Sequence, residues 1–319
     1  MTMKIAGTQT IADHRRNIIL SVNPKAGRRS SKKRTERLAS ALRALGFDVD
    51  VQTDLQIVAE KANALHAEDK LRALIGIGGD GTAAELTNRT VPGVPIALLP
   101  SGTANILAKH LKYSFRPEKF ARMIAAGRVA QMDAAQANGR IFLAMIGCGF
   151  DAEVVAQVHD ARMRNPKGAH INYFSYIKPI LKSIASYPYP KIRTEILDSE
   201  SGAESQAYET EWAFLANLPR YGWGVPLAPR ALFDDGLLDL TLWRGGSLYQ
   251  GLKLALFGQL GGLHRFSSRC TMEPGKVFRF SAAESNPDAQ IPYQLDGDPA
   301  GMLPVDVKIL ERRLTIFVP

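Results

Sequence analysis

The first hundred residues alternate short apolar runs with longer segments of helical periodicity. The apolar runs lie at 17–23, 47–53, 71–79 and 94–100, and the helical segments at 31–46 and 55–68. Runs of Leu, Ile and Val are typical of strands that are buried on both faces. Strands and helices in this order predict an α/β domain with a parallel sheet flanked by helices.

From about residue 133 the apolar segments become shorter and are bounded by turn-forming residues, which predicts a β-rich second domain. These segments lie at 140–149, 190–197, 209–217, 236–244, 276–282 and 305–319. The last segment predicts a hairpin that turns across 311–313, and two helices are predicted, at 173–184 and 247–263. We therefore expect two domains, 1–132 and 133–319.

Three loops follow predicted strands of the first domain. They read NPKAGRR, GGDGT and PSGTAN. Because the carboxyl ends of parallel strands meet at one edge of a sheet, we expect these loops to converge there. A Gly-rich turn that leads from a strand into a helix is a common place to hold a phosphate, and a tight turn without a ligand is the alternative.

Each residue of GGDGT has an expected part in this phosphate site. Backbone N–H groups of the turn can donate to anionic oxygens, and glycines leave room for the approach. The carboxylate of Asp80 would repel a bare phosphate, so it favours a Mg²⁺ ion or its waters between the two. The loop residues are Gly78, Gly79, Asp80, Gly81 and Thr82.

The net charge of the chain narrows the classes of molecule that it is expected to bind. The chain has 40 basic and 31 acidic residues, a formal net charge of +9 and a pI near 9.5. This balance favours an anionic partner, namely a nucleotide, an acidic lipid surface or nucleic acid. Nucleic acid is the weakest of the three, because aromatic residues for base stacking are not interleaved with the basic ones.

A basic cluster around the first predicted helix contains one acid, Glu36, and favours ATP phosphates or anionic lipid headgroups. A solvated basic face is the alternative. The cluster consists of Lys25, Arg28, Arg29, Lys32, Lys33, Arg34 and Arg37.

The expected setting is cytoplasmic. Two cysteines, Cys148 and Cys270, provide neither a disulfide framework nor a zinc site of usual spacing. The N-terminus lacks the apolar core of a signal peptide, and no uncharged apolar run reaches the roughly 18–20 residues of a spanning helix. Any membrane contact is therefore expected to be peripheral.

Five motifs occur in an order and spacing that resemble the diacylglycerol kinase catalytic family, which includes bacterial lipid kinases and the sphingosine and ceramide kinases. They are NPKAG, GGDGTAAELTN, PSGTANILA, GFDAEVV and LFDDGLLDL. The resemblance runs from about Asn23 to the end of the chain, although GGDGT alone is also similar to NAD kinases. It implies a nucleotide-binding α/β domain, a C-terminal β-sandwich-like domain and an active site in the cleft between them.

The resemblance also implies nucleotide-binding residues. Asn23, Thr53 and Thr103 match nucleotide-contacting positions, in addition to the GGDGT loop. Thr53 is equally well explained as a polar strand end. Glu85 and Asn88 could orient the loop or the ribose, or be exposed polar residues of a helix.

The family places a magnesium around the turn in LFDDGLLDL. Carried over position by position, its ligands are the carbonyl groups of Leu232 and Leu237 and the carboxylate of Asp235. The alternative is an Asp-Gly turn that leads into a strand, which needs no metal.

The catalytic assignments rest on Asp80 and Asp298, and the sequence departs from the family at two positions. The family's base is a glutamate, whose match in QLDGDPAG is the shorter Asp298, and Asp296 could share its task. Ile106 replaces an aspartate that in many relatives joins equivalents of Asp80 and Asp133 in a metal network.

The sequence thus predicts a Mg²⁺-dependent lipid kinase that uses ATP. It would transfer the γ-phosphoryl group to a hydroxyl of a diacylglycerol-like or sphingoid lipid at an acidic membrane surface. An NAD-kinase-type enzyme is one alternative. A non-catalytic nucleotide- or lipid-binding regulator is the other, supported by Ile106 and Asp298.

Overall fold

A computed structural model describes most of the chain. The residues described are 7–22, 29–102, 104–164, 187–197, 206–247, 249, 253, 256, 260 and 267–319. The chain folds into two compact units. Unit 1 comprises Met1–Ala134 and Glu311–Pro319, and unit 2 comprises Ala135–Leu310.

Strands and helices alternate through most of unit 1. Its strands are β1 (Gln9–Thr10), β2 (Asn17–Val22), β3 (Asp48–Gln52), β4 (Leu71–Gly78), β5 (Pro95–Pro100) and β6 (Arg128–Ala137), which ends in unit 2. Its helices are α1 (Arg29–Ala44), α2 (Leu55–Ala67), α3 (Asp80–Arg89), α4 (Ile106–His110) and α5 (Pro117–Ala126).

The predicted parallel sheet is confirmed. Strands β3, β2, β4 and β5 lie side by side in this order, and every neighbouring pair is parallel. All eight residues of β4 are buried, as expected for a central strand covered on both faces. The GGDGT and PSGTAN loops therefore leave adjacent strands at the same edge of the sheet.

The elements of unit 2 are mostly strands. They are β7 (Arg140–Phe142), β8 (Met145–Gly149), β9 (Ile192–Ile196), β10 (Gln206–Thr210), β11 (Trp212–Ala216), β12 (Leu238–Trp243), β13 (Cys270–Gly275), β14 (Val277–Ala282), β15 (Pro292–Leu295), β16 (Asp298–Met302) and β17 (Val305–Phe317), which ends in unit 1. Helix α6 (Phe150–Arg164) follows β8 directly.

Unit 2 has the predicted β-sandwich-like architecture. One antiparallel sheet runs β13-β12-β11-β8-β15-β16, and in the other β10, β9 and β14 lie beside the first part of β17. Side chains from both sheets form one core, with Cys148 and Tyr293 from the first and Phe278, Phe280 and Val307 from the second. Burial between two sheets holds the unit together.

The predicted hairpin at 305–319 is wrong, because β17 is one continuous strand. Its first part pairs antiparallel with β14, where Val307 lies opposite Phe278. Its last part pairs parallel with β5, where Ile316 lies opposite Ile96. The two parts have different partners and do not fold back on each other. Arg312, at the predicted turn, has a left-handed backbone with φ 51° inside the strand.

The predicted helix at 173–184 lies outside the described residues. Of the one at 247–263, Tyr249, Lys253 and Leu256 are described and helical. Over the described parts of both units, no helix is long and apolar enough to cross a membrane.

Candidate functional site

The GGDGT loop joins the end of β4 to the start of α3. Gly79 precedes the helix and accepts a hydrogen bond from the N–H of Thr82, at 2.9 Å. Gly78 accepts one from the N–H of Ser101, at 2.8 Å, which ties this loop to the loop after β5. The backbone N–H groups at the start of α3 point along the helix axis, the arrangement that binds anionic oxygens.

Asp80 connects the two loops through its side chain. The carboxyl group is buried, and its oxygens accept hydrogen bonds from the N–H groups of Ile106 and Leu107, both at 2.9 Å. Burial raises the pKa of Asp80, although the amide donors oppose the rise. Asp80 therefore caps α4 and holds GGDGT against PSGTAN, a role that the sequence did not indicate.

Two glycines allow the loops to meet. A Cβ atom on Gly102 would lie 2.7 Å from the Cα atom of Gly79, closer than real Cβ contacts. Asn105, with a left-handed backbone at φ 49°, locks Gly102 in place. Its side chain accepts from the N–H of Gly102 at 3.0 Å and donates to the carbonyl of Gly102 at 2.7 Å. Backbone packing between the loops thus explains part of the glycine pattern.

Of the other residues predicted to contact the nucleotide, the structure describes Thr53, Glu85 and Asn88. Asn23 and Thr103 lie outside the described residues. Thr53 is exposed just after β3, next to Asp54, which caps α2. Glu85 accepts a hydrogen bond from Arg89 at 2.6 Å, a helix-surface ion pair four residues apart. Asn88 donates to the carbonyl of Ala84 at 2.9 Å.

Asp133, for which the resemblance implies a place in a metal network, has a backbone partner. Its buried carboxylate accepts a hydrogen bond from the N–H of Arg312 at 2.6 Å. At position 106, the backbone N–H meets Asp80, so the isoleucine side chain is not needed for that contact. Both aspartates thus bind backbone amide groups.

The basic cluster is partly used for internal contacts. Arg34 donates to the carbonyls of Pro100, at 2.9 Å, and Phe115, at 3.1 Å, and burial lowers its pKa. Arg37 pairs with Glu118 at 2.7 Å. Arg34 therefore connects α1 to the end of β5 and to Phe115. The side chains of Lys32 and Lys33 are exposed.

Two of the three predicted magnesium residues, Asp235 and Leu237, line a small pocket of unit 2. The pocket has a volume of about 190 Å³, and Asp235, Leu237, Asp239 and Glu273 contribute to its lining. Burial, and then the charge of Asp235, raise the pKa of Asp239 to about 6. Paired carboxylates that repel each other provide oxygen donors that fit a hard cation.

Hydrogen bonding within the turn also explains its conformation without a metal. Asp235 accepts from the N–H of Leu237 at 3.1 Å, and Gly236 has φ 73°, as in an Asp-Gly turn. Leu232 has an exposed side chain. Among the described residues, no three Asp, Glu, His or Cys side chains gather closely enough to hold a metal. Ligation by Asp235 and backbone carbonyls stays a prediction.

The turn between β15 and β16 carries the predicted base. Asp298 is the first residue of β16 and is partly buried. Asp296 has φ 52°, and its carboxylate accepts hydrogen bonds from the N–H groups of Leu143, Ala144 and Met145, at 2.7, 2.7 and 3.0 Å. Asp296 thus anchors the turn, and we keep Asp298 as the candidate base.

Asp151, in the GFDAEVV motif, is a candidate that the sequence analysis missed. It lies in the first turn of α6 and accepts hydrogen bonds from the hydroxyl of Tyr221, at 3.0 Å, and the amide of Gln294, at 3.1 Å. Burial raises its pKa to about 6, more than these two donors lower it. The available signal was an acid in the first turn of a helix, two residues after the end of the Gly-containing strand MIGCG.

The raised pKa of Asp151 predicts a pH-dependent stability. Between about pH 4 and pH 6 the folded state holds a proton that the unfolded state releases, so the free energy of unfolding falls as pH rises. Relative to Asp151→Asn, we expect the wild-type protein to lose about 1–3 kcal/mol across this window. Urea denaturation of both proteins at several pH values measures the difference. Parallel pH curves for the two proteins would contradict it.

Two family descriptions cover nearly the whole chain. Residues 17–137 match the Diacylglycerol kinase catalytic domain. Residues 144–318 match the YegS C-terminal NAD kinase beta sandwich-like domain. The chain belongs to the diacylglycerol kinase catalytic family, with a YegS-type C-terminal domain.

Curated relatives are distant in sequence. The uncharacterized protein sll0036 of Synechocystis is 27% identical over 255 residues, 77% of this chain and 54% of the relative. A "Probable lipid kinase YegS-like" protein of Serratia proteamaculans is 28% identical over 196 residues, 58% of this chain and 59% of the relative. The chain thus spans less than two thirds of both. The diacylglycerol kinase of Bacillus subtilis is 24% identical over 308 residues, 93% of this chain and 94% of the relative.

Solved structures share the fold. A diacylglycerol kinase from Bacillus anthracis aligns with a TM-score of 0.63 at 18% identity, covering 95% of this chain and 97% of that one. An NAD kinase from Archaeoglobus fulgidus in complex with ATP aligns with a TM-score of 0.52 at 12% identity, covering 94% and 93%. At 18% and 12% identity, these two likenesses show a shared fold.

Proposed function

We propose that the protein transfers the γ-phosphoryl group of ATP to a hydroxyl of a diacylglycerol-like or sphingoid lipid. The observation that carries this proposal is the joined pair of loops at the sheet edge, held by Asp80 and by the contact of Gly79 with Gly102. Such loops present fixed backbone N–H groups at a helix start, and phosphoryl transfer depends mainly on positioning and charge stabilisation.

In this proposal the unit 1 loops bind the nucleotide phosphates, and Asp298 accepts the proton of the lipid hydroxyl. Thr53 and Thr103 are proposed as further nucleotide contacts. Asp235 and the carbonyl groups of Leu232 and Leu237 would hold a Mg²⁺ ion. The ion would supply positive charge at this turn of unit 2. A base in hydrogen-bond reach of the acceptor hydroxyl typically contributes 10²–10⁴-fold to the rate.

The acceptor would be reached at a membrane surface. The net charge of +9 and the exposed Lys32 and Lys33 favour attraction to anionic headgroups. We propose peripheral binding in the cytoplasm, where ATP is abundant and a diffusing kinase meets its lipid.

A lipid panel tests the proposal against the NAD-kinase alternative. The wild-type protein is incubated with ATP and Mg²⁺ and offered diacylglycerol, monoacylglycerol, sphingosine, ceramide or NAD, with lipids in mixed micelles. We expect one lipid to become phosphorylated and NAD to remain unchanged. Phosphorylation of NAD alone would replace the proposal, and ATP binding without any transfer would favour the non-catalytic regulator.

The close approach of the two loops predicts an effect of a single methyl group. Gly102→Ala places a Cβ atom against the backbone of Gly79, so the loops must separate and their N–H groups move. We expect ATP affinity to fall about tenfold or more, measured by titration calorimetry. Gly222→Ala is the matched control, because a Cβ there has no neighbour within 4 Å. Equal affinities of the two variants would contradict the packing argument.

A further inference from the structure

Two side-chain contacts attach the turn at 296–298 to the rest of unit 2, in addition to the backbone hydrogen bond that the N–H of Asp296 donates to the carbonyl of Met145, at 3.0 Å. The first is the Asp296 carboxylate, which binds the amides that lead into β8. The second is Gln294, whose side-chain oxygen accepts a hydrogen bond from the N–H of Gly297 at 2.7 Å. Gly297 lies directly before Asp298, so this second bond acts on the residue next to the proposed base.

Gln294 depends in turn on Asp151. Its side chain is fully buried, and its amide nitrogen donates to the Asp151 carboxylate at 3.1 Å. Since the amide oxygen is occupied by Gly297 and the nitrogen by Asp151, both ends of the amide are satisfied in one orientation. A buried amide that lost the acceptor at position 151 would be left with an unpaired donor, which favours its rotation.

A glycine and a strand irregularity lie beside the contact between Asp151 and Gln294. A Cβ atom on Gly147 would lie 2.5 Å from an Asp151 oxygen and 2.9 Å from the Gln294 nitrogen. The pairing of β15 with β16 shifts register between Tyr293 and Gln294. Bulges of this kind re-aim side chains and occur often beside active sites.

We propose that Asp151 is a positioning residue which, through Gln294 and Gly297, fixes the place of the Asp298 carboxylate. This inference rests on the proposed function, in which Asp298 receives the proton of the lipid hydroxyl. Tyr221 holds Asp151 from the other side, at 3.0 Å. No motif or charge count joins these residues, because they come from α6, β15 and the turn after it.

A reciprocal exchange of groups tests the connection. Asp151→Asn replaces the carboxylate, which accepts from both Tyr221 and Gln294, by a single neutral acceptor oxygen and an NH2 donor. Gln294→Glu in the same protein restores a carboxylate, so that the amide and the carboxylate have changed places. In the double variant the new amide donates to the new carboxylate, which still accepts from Gly297. Two quantities are measured in the full chain: phosphoryl transfer to the lipid found in the panel, and hydrogen–deuterium exchange of the Gly297 amide.

We expect Asp151→Asn to lower kcat about 10- to 100-fold, with KM for ATP and lipid within about threefold, because a displaced base slows chemistry without weakening binding. Protection of the Gly297 amide should fall about tenfold. The double variant should recover most of both quantities. A merely structural role of Asp151 would lower the free energy of unfolding of Asp151→Asn and leave kcat of the folded protein unchanged.

The outcomes separate this inference from the proposed function. Unchanged Gly297 exchange in Asp151→Asn, or a double variant that recovers neither quantity, would overturn the positioning role. If the wild-type protein transfers phosphate to no lipid, the proposed function fails. The exchange of Gly297 then still decides whether Asp151 holds the turn.

Discussion

Asp298→Asn should lower kcat for lipid phosphorylation by about 100- to 10,000-fold, the usual contribution of a general base. The amide keeps the size of the side chain and its place at the start of β16, but it cannot accept the hydroxyl proton. ATP binding should remain within about threefold of the wild-type value. The measurement is initial-rate kinetics with the acceptor lipid, together with calorimetric titration of ATP.

Asp298→Glu is the matched variant, because it restores the longer side chain implied by the family resemblance. We expect it to retain more than about a tenth of the wild-type kcat, since the carboxylate is preserved and extended by one methylene. Full activity of Asp298→Asn would remove Asp298 from the mechanism. An Asp298→Asn variant that keeps more than about a tenth of the wild-type kcat would assign the proton to another group.

Asp80→Ala has the second large expected effect. It removes a buried carboxylate that caps α4 and joins the two loops, so it leaves the N–H groups of Ile106 and Leu107 without their acceptor. We expect kcat/KM to fall about 100- to 1,000-fold, because the N–H groups that we propose to bind phosphate lose their fixed positions. The free energy of unfolding should fall by about 2–4 kcal/mol. Kinetics and urea denaturation measure the two effects.

Asp54→Ala is the control for Asp80→Ala. Asp54 also accepts hydrogen bonds from two backbone N–H groups at a helix start, those of Gln56 and Ile57. Its loss should cost about 1 kcal/mol of stability, the typical value for a helix cap, and should leave transfer within about threefold. If both variants lost activity equally, the effect of Asp80 would be a general loss of stability.

The strands of unit 1 could be predicted because their signal is local. Continuous apolar residues at 71–79 predicted a buried strand, and the structure has β4 at Leu71–Gly78. The course of β17 could not be predicted in the same way. Alternation at 305–319 indicates a strand, but whether the chain folds back depends on β14 and β5, which are distant partners.

The candidate site was predictable as a set of loops, but its connections were not. The glycines of GGDGT indicated a close approach, and the structure shows that the backbone of Gly102 is one of the approaching groups. The contacts of Arg34, Asp151 and Gln294 could not be predicted, because each of these residues binds a partner more than 60 positions away. Such pairings depend on the fold and leave no spacing pattern in the chain.

The most direct test of the lipid-kinase proposal follows the phosphoryl group itself. Wild-type protein and Asp80→Ala are each given ATP labelled at either the γ- or the α-phosphate, with Mg²⁺ and mixed micelles that contain the acceptor lipids. We expect label in a lipid from γ-labelled ATP and none from α-labelled ATP, with the transfer nearly lost in Asp80→Ala. Lipids without label, while the wild-type protein still binds ATP, would contradict it.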